Sequence, residues 1–349
     1  MTNYKNIIKK ILFLSLLFFI PYESYSQNLN IKESDKTTSA DSVKKAIMVY
    51  HINPDIDFVY SKPEKFQFFK YGVYDFVTNS KNTFQKKNIT KITLMTAVTA
   101  LFIAFDQQIF DAAQDFGDKI NLSHNNYQKT MISIGGFPIF QGPTDLGTAL
   151  YFLGDGWIHT TICGSYFCYG LIKDDNRALQ TASQLAEGLI STLIIHYTLK
   201  HITGRESPWV ATAPGGVWRL FPDPIEYQKH TPHYDAFPSG HLATAMMTVT
   251  VISENYAEYK FIRPLGYTLM TLLSYQMINN GVHWISDYPL ALAIGYYFAK
   301  SAVNRGRKVV NKNENVQTSE KNSGLKSFSI SPFYDVRGRI GITLNYKLR

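Results

Sequence analysis

Asp235-Ala236-Phe237-Pro238-Ser239-Gly240-His241 runs straight into the apolar stretch Leu242 to Ile252. Pro238 cannot continue a preceding helix, and Ser239 is a good N-cap, so a new helix is expected to begin here. Gly240 lets a ligand approach the backbone closely. The free N–H groups of the first turn and the helix dipole then favour an anion. His241 sets a titratable imidazole beside that position. The motif predicts a helix whose mouth is an anion site.

Two other stretches bring complementary chemistry. Lys200-His201-Ile202-Thr203-Gly204-Arg205-Glu206-Ser207-Pro208 closes a helix-length segment over about 178–203. Gly204 is a helix stop, and Pro208 prevents resumption. Lys200 and Arg205 are cations near that helix end. Asn279-Asn280-Gly281-Val282-His283-Trp284-Ile285-Ser286-Asp287 leads into a final apolar segment. His283 and Asp287 are four apart. That spacing lets a carboxylate reach one ring nitrogen and fix the tautomer, leaving the other nitrogen free to attack.

Together the three stretches resemble the phosphatidic acid phosphatase type 2 superfamily, which includes lipid phosphatases, bacterial non-specific acid phosphatases and vanadium haloperoxidases. The family pattern is a Lys followed by Arg-Pro, then Pro-Ser-Gly-His, then Ser-Arg and a His with an Asp four residues on. Lys200, Pro208, Pro238 to His241, His283 and Asp287 match it, in order, and the resemblance covers roughly residues 145–304. It implies a mainly α fold, a helical bundle with the site at helix ends. It also implies a metal-independent phosphatase with no cofactor. Lys200, Arg205, Ser239 and Gly240 would hold the phosphate. His283, oriented by Asp287, would attack phosphorus. His241 would protonate the leaving oxygen and then activate water.

Two positions depart from the pattern. Ser207 stands where the family has the Arg before Pro208, and Gln276-Met277 replaces Ser-Arg. A charge-assisted hydrogen bond is worth roughly 1.5–3 kcal/mol. Losing two such contacts costs about 3–6 kcal/mol, on the order of 10² to 10⁴ in rate. Arg205 is expected to substitute in part, with Asn279 or Asn280 donating hydrogen bonds. The same departures leave open a site that keeps the fold without catalysis, and they disfavour a vanadate-holding haloperoxidase.

The rest of the chain frames this core. Its 349 residues carry 45% hydrophobic content and a formal net charge of +8. A basic balance suits anionic lipid head groups or phosphorylated substrates. The absence of a basic helix or of basic-aromatic interleaving argues against nucleic acid. Lys5, Lys9 and Lys10 precede the apolar run Ile11 to Ile20 and then Ser24-Tyr25-Ser26. Residues 1–26 therefore read as a signal peptide cleaved before Gln27, and the protein as exported to the periplasm or cell envelope. Residues 27–90 read as a leader followed by short, irregular helices. Helices are expected over 92–105 and at about 145–172, 178–203, 240–258, 263–281 and 286–304. They make one helical domain over 91–306. A soluble bundle, a membrane-embedded one and one lying on a membrane all remain open. Gly135-Gly136-Phe137-Pro138 is loop chemistry. Cys163 and Cys168 read as buried packing residues. A polar linker spans 307–326. The period-two pattern of Ile340, Ile342, Leu344, Tyr346 and Leu348 predicts a β-hairpin over 327–349. A phosphorylated lipid of undecaprenyl or lipid A type is the expected substrate. A soluble, broad-specificity acid phosphatase is the alternative.

Overall fold

The computed structural model describes residues 47–83, 88–312, 328–334 and 340–346. The signal peptide and most of the leader and linker expected from the sequence lie outside these residues. The described residues divide into two compact units, one of residues 47–50 with 59–83 and 88–308 and the other of residues 51–58 with 309–312, 328–334 and 340–346.

The first unit is a helical bundle. Its helices are α1 (Gln67–Thr83), α2 (Ile89–Ile103), α3 (Asp106–Lys119), α4 (Leu146–Phe152), α5 (Gly156–Ile172), α6 (Asn176–Thr203), α7 (Pro224–Lys229), α8 (Gly240–Asn255), α9 (Ile262–Asn279) and α10 (Tyr288–Gly306). Aspartates set several starts. Asp145, Asp155 and Asp175 accept the N–H groups of Thr148, Trp157 and Ala178, each satisfying a donor that the helix itself cannot. The single helix expected over 145–172 is thereby two, α4 and α5, because Asp155 caps a fresh start after Leu153-Gly154. α6 ends where expected. Gly204 takes φ +51° and returns its N–H to the Lys200 carbonyl. A Cβ at Gly204 would fall 2.0 Å from the Arg219 carbonyl oxygen, so only glycine fits.

Helix α8 is the central element. One face packs Leu242, Ala243 and Ala245 against Met270, Leu273 and Met277 of α9 and Ala291, Ile294 and Phe298 of α10. Its C-terminal half packs Met247, Val251 and Ile252 against Tyr166 of α5, Ala178, Ala182 and Leu185 of α6, and Ala299 and Val303 of α10. A helix buried on all sides needs no amphipathic stripe, which is why Leu242 to Ile252 reads as continuously apolar. Its N-terminus is thus held rigidly between α6 and α10, the elements that bear Lys200 and follow His283.

Three local expectations change. Residues 47–61 form strands β1 (Ile47–Asn53) and β2 (Ile56–Ser61) rather than short helices; helix begins only at Gln67. Gly135-Gly136 is the turn of a hairpin, β3 (Gln128–Ile134) paired antiparallel with β4 (Phe137–Pro143). Both glycines have positive φ, +59° and +83°, as a tight two-residue hairpin turn requires. Cys168 is exposed, and only Cys163 is partly buried, with its thiol 3.3 Å from the Ala182 carbonyl; both are free thiols.

In the second unit, the Asp55 N–H bonds the Asn53 side chain, which turns the chain between the two strands,. Strand β5 (Lys308–Asn311) joins β1 and β2 in a sheet of order β1-β2-β5. The expected C-terminal hairpin is present. β6 (Phe328–Tyr334) pairs antiparallel with β7 (Ile340–Tyr346), in register from Phe328–Tyr346 to Tyr334–Ile340.

Among the described residues no single helix is long and apolar enough to cross a bilayer. α2 and α3 pass that test only together, bent by 62° at their junction. α2 buries none of its residues and exposes Ile89, Leu94, Leu101 and Ile103.

Candidate active site

Ser239 caps α8 as expected. Its Oγ accepts the Leu242 N–H at 3.3 Å, its own N–H donates to the Asp287 carbonyl at 3.2 Å, and the residue is fully buried. The Gly240 and His241 amides have no acceptor among the described residues, as first-turn amides do not. His241 follows directly. Its ring centroid lies 6.0 Å from that of His283 and 4.8 Å from Tyr151. Burial, then the charges of His283 and Lys200, hold the His241 pKa well below that of an ordinary imidazole.

His283 is buried, and its Nδ1 donates to the Ala236 carbonyl at 2.8 Å. Asp287 Oδ2 stands 3.5 Å from the same nitrogen. The shorter contact is the hydrogen bond; the carboxylate adds its field at the edge of bonding distance. The pairing expected from the i, i+4 spacing is therefore shared with a backbone carbonyl of the Asp235–His241 loop. Either way Nδ1 is occupied and Nε2 is the free nitrogen.

Arg205 is not where a compensating phosphate ligand would be. It is fully buried, and its terminal nitrogens bond Ser286 Oγ and Asp287 Oδ1, both at 2.6 Å, Asp106 Oδ2 at 2.6 Å, and the Gly215 carbonyl at 2.8 Å. The guanidinium lies against the rings of Trp218 (4.6 Å) and Trp284 (5.4 Å). All four terminal N–H donors are spent on the protein, and only the buried Nε–H has no partner among the described residues,. What Arg205 does hold is Asp287, whose other oxygen accepts the Trp284 N–H at 2.8 Å. Asp106, the partner on the far side, is also fully buried and accepts from the Ser286 N–H and hydroxyl. It escapes sequence reading because it is 99 residues from Arg205 and follows an apolar run without a motif.

Lys200 has its Nζ 3.4 Å from Asp235 Oδ2, so the one matched cation beside the site is partly neutralised. The two positions that lack arginine are filled in different ways. Ser207 is buried at the wall of a cleft of about 490 Å³, which is also lined by Tyr151, Trp209, Asp235, Asn280 and Val282. Met277 is fully buried, its sulfur 3.9 Å from Ser239 Oγ. The asparagines expected to donate to phosphate are engaged elsewhere. Asn279 Nδ2 bonds the Ser123 carbonyl at 3.1 Å, and Asn280 Nδ2 bonds Asn126 Oδ1 at 2.5 Å. Gln276 Nε2 bonds Ser123 O and Asn280 Oδ1. Where the family carries Ser-Arg, this chain has an amide network that pins the 123–126 loop. Among the described residues no group of three or more His, Cys, Asp or Glu side chains is arranged to hold a metal ion.

No curated protein matches this chain. Among solved structures it is similar to LpxE of Aquifex aeolicus, at 20% identity over 45% of this chain and 83% of that one, with a TM-score of 0.34. It is also similar to a transmembrane PAP2 type phosphatidylglycerolphosphate phosphatase of Bacillus subtilis, at 13% identity over 68% of this chain and 94% of that one, with a TM-score of 0.38. The sequence pattern of the PAP2 superfamily matches residues 181–309, a span that contains Lys200, the Pro238 to His241 turn, His283 and Asp287. Over that span, rather more than a third of the chain, the sequence is similar to the PAP2 superfamily.

Proposed function

We propose that the protein is a metal-independent phosphatase that hydrolyses a phosphate or pyrophosphate ester, with a phosphorylated lipid of the cell envelope as substrate. The observation that carries this is the pairing of His283, whose Nδ1 is held at 2.8 Å by the Ala236 carbonyl, with His241 6.0 Å away at the mouth of α8. His283 Nε2 attacks phosphorus as the ester P–O bond breaks, giving a phosphohistidine. The leaving oxygen takes its proton from His241. Water then attacks the phosphohistidine, His241 removes its proton, and inorganic phosphate leaves. Because burial disfavours the protonated His241 ring, the acid step depends on the bound phosphate, whose negative charge favours the imidazolium. Lys200, Ser239 and the Gly240 amide would line the phosphate, while Arg205 and Asp106 fix Asp287 from behind.

The lipid assignment is supported by the exposed apolar surface of α2 and by an apolar cleft between α5, α8 and α9 lined by Leu153, Ile158, Val249, Met270 and Leu273. The signal-like residues 1–26 support export and association with a membrane.

Ser207 and Met277 favour one other reading, a protein that binds a phosphorylated ligand without hydrolysing it. One experiment separates the two. Purified protein is assayed for phosphate release from a panel of lipid and soluble phosphates, with acid-quench trapping. The phosphatase reading expects phosphate on His283, and His283→Ala folded and inactive. Activity that survives His283→Ala near the wild-type level overturns the mechanism. No release from any substrate by wild type leaves the binding reading.

A further inference from the structure

Removing the two arginines from a phosphate site raises the question of what meets the charge. The neighbouring cations are largely committed. The terminal nitrogens of Arg205 are taken by Asp106, Asp287, Ser286 and Gly215. Arg219 is bound to Glu206 at 2.7 Å. Lys200 faces Asp235. One titratable side chain next to the α8 mouth is not committed, and the sequence motifs do not mark it.

We infer that His196 is a phosphate ligand of this site, a third imidazole that donates from Nε2 to a phosphoryl oxygen at the N-terminus of α8. His196 lies four residues before Lys200 on α6, on the same helix face. It is only 8% exposed, and its Nδ1 makes no well-formed hydrogen bond, with only the Thr192 backbone beside the ring. Its Nε2 stands 3.3 Å, and both adjacent ring carbons 3.4 Å, from where a Cβ on Gly240 would lie. The ring edge therefore rests on the one residue of the turn that has no side chain. Any other residue there would crowd the imidazole and stand between it and the helix mouth. Burial and then the charge of Lys200 push its pKa down to about 3, against a backbone hydrogen bond with Thr192. An incoming phosphate reverses the balance, because its negative charge favours the protonated, donating ring. A neutral imidazole is also a smaller desolvation burden in a buried site than two unpaired guanidinium groups.

The inference rests on the site binding phosphate, and the test separates it from the hydrolytic reading. The full chain, labelled with ¹⁵N at histidine, is titrated with inorganic phosphate and with vanadate while ring nitrogen shifts are followed. The His196 ring nitrogens should move on saturation in wild type, a result that needs no variant. His196→Ala should weaken phosphate binding at least about tenfold, the value of one lost donor to a charged group. His196→Gln, whose amide nitrogen falls near the Nε2 position, should recover most of the loss. Binding that shifts His283 but leaves the His196 ring unmoved, with equal affinity in His196→Ala, overturns the inference and leaves the hydrolytic reading standing. Binding that moves His196 in a protein that hydrolyses nothing supports the inference and overturns the hydrolytic reading. No binding of either anion by wild type overturns the inference.

Discussion

Replacing Arg205 with alanine should damage the fold before it damages chemistry. The side chain is fully buried, and so are both carboxylates it joins, Asp106 and Asp287. Alanine removes four hydrogen bonds of 2.6–2.8 Å and leaves two buried carboxylates with no cation between them. Taking one partner from a buried ion pair costs about 3–5 kcal/mol, because the remaining charge is uncompensated. A domain of this size loses about 2–4 °C of Tm per kcal/mol, so the melting temperature should fall by about 6–20 °C. The control is Arg263, whose side chain is 53% exposed in its pair with Glu254; its removal should cost well under about 1 kcal/mol. The pH dependence has a definite sign. Burial raises the Asp106 pKa above its ordinary 3.8, against the opposing pull of Arg205. Without Arg205 that rise becomes larger, and the folded state binds a proton more tightly than the unfolded chain. Stability of the variant should then fall as pH rises from about 3.8 through the raised value, and recover on acidification. Thermal melts of wild type, Arg205→Ala and Arg205→Ala/Asp106→Asn at pH 5 and pH 8 test this. The double variant should melt above the single one at pH 8, since it buries one charge fewer. An Arg205→Ala protein that melts within about 2 °C of wild type at both pH values refutes the account and returns Arg205 to the role of substrate ligand.

Gly204→Ala should cost more than 2 kcal/mol by chemical denaturation: the left-handed conformation alone costs roughly 1–2 kcal/mol, and the new Cβ would fall 2.0 Å from the Arg219 carbonyl oxygen; a loss under 1 kcal/mol would show that the helix end relaxes freely. The two family arginines should behave differently when restored. Ser207→Arg opens on the cleft and should tighten phosphate binding by about tenfold with the fold intact, the value of one added charge-assisted contact. Met277→Arg buries a guanidinium at a fully buried site beside Ser239 and should destabilise by several kcal/mol; calorimetry and melts of the two variants check both outcomes, and a stable, tighter-binding Met277→Arg would show that the Met277 pocket is built to accept a cation.

The parts of the molecule legible in the sequence are those whose physics is local. The start of α8 is set by Pro238 and the Ser239 cap within four residues, and the end of α6 by Gly204. The hydrogen bond that makes each of them spans at most one helical turn. The C-terminal hairpin follows from a period of two, for the same reason. Where local signals compete, the reading slips. Residues 47–61 lack a clear period and so read as short helices, yet β-branched and aromatic residues flank the Asn53-Pro54-Asp55 turn and favour strands. Gly135-Gly136 marked a turn whose flanking strands were not seen.

What tertiary structure decided is the identity of the partners. Arg205 looked like a free cation beside a helix end because its acceptors lie 82 and 99 residues away. Asn279 and Asn280 looked like donors to a ligand, but the 123–126 loop, about 155 residues distant, takes their N–H groups. His196 carries no motif, and only the packing of α6 against the start of α8 sets its ring over Gly240. A side chain's type determines which hydrogen bonds and charges it can offer. Whether those are spent on the fold or kept for a ligand depends on which distant groups the packing of α3, α6, α8 and α10 brings within about 3 Å, and no spacing along the chain records that.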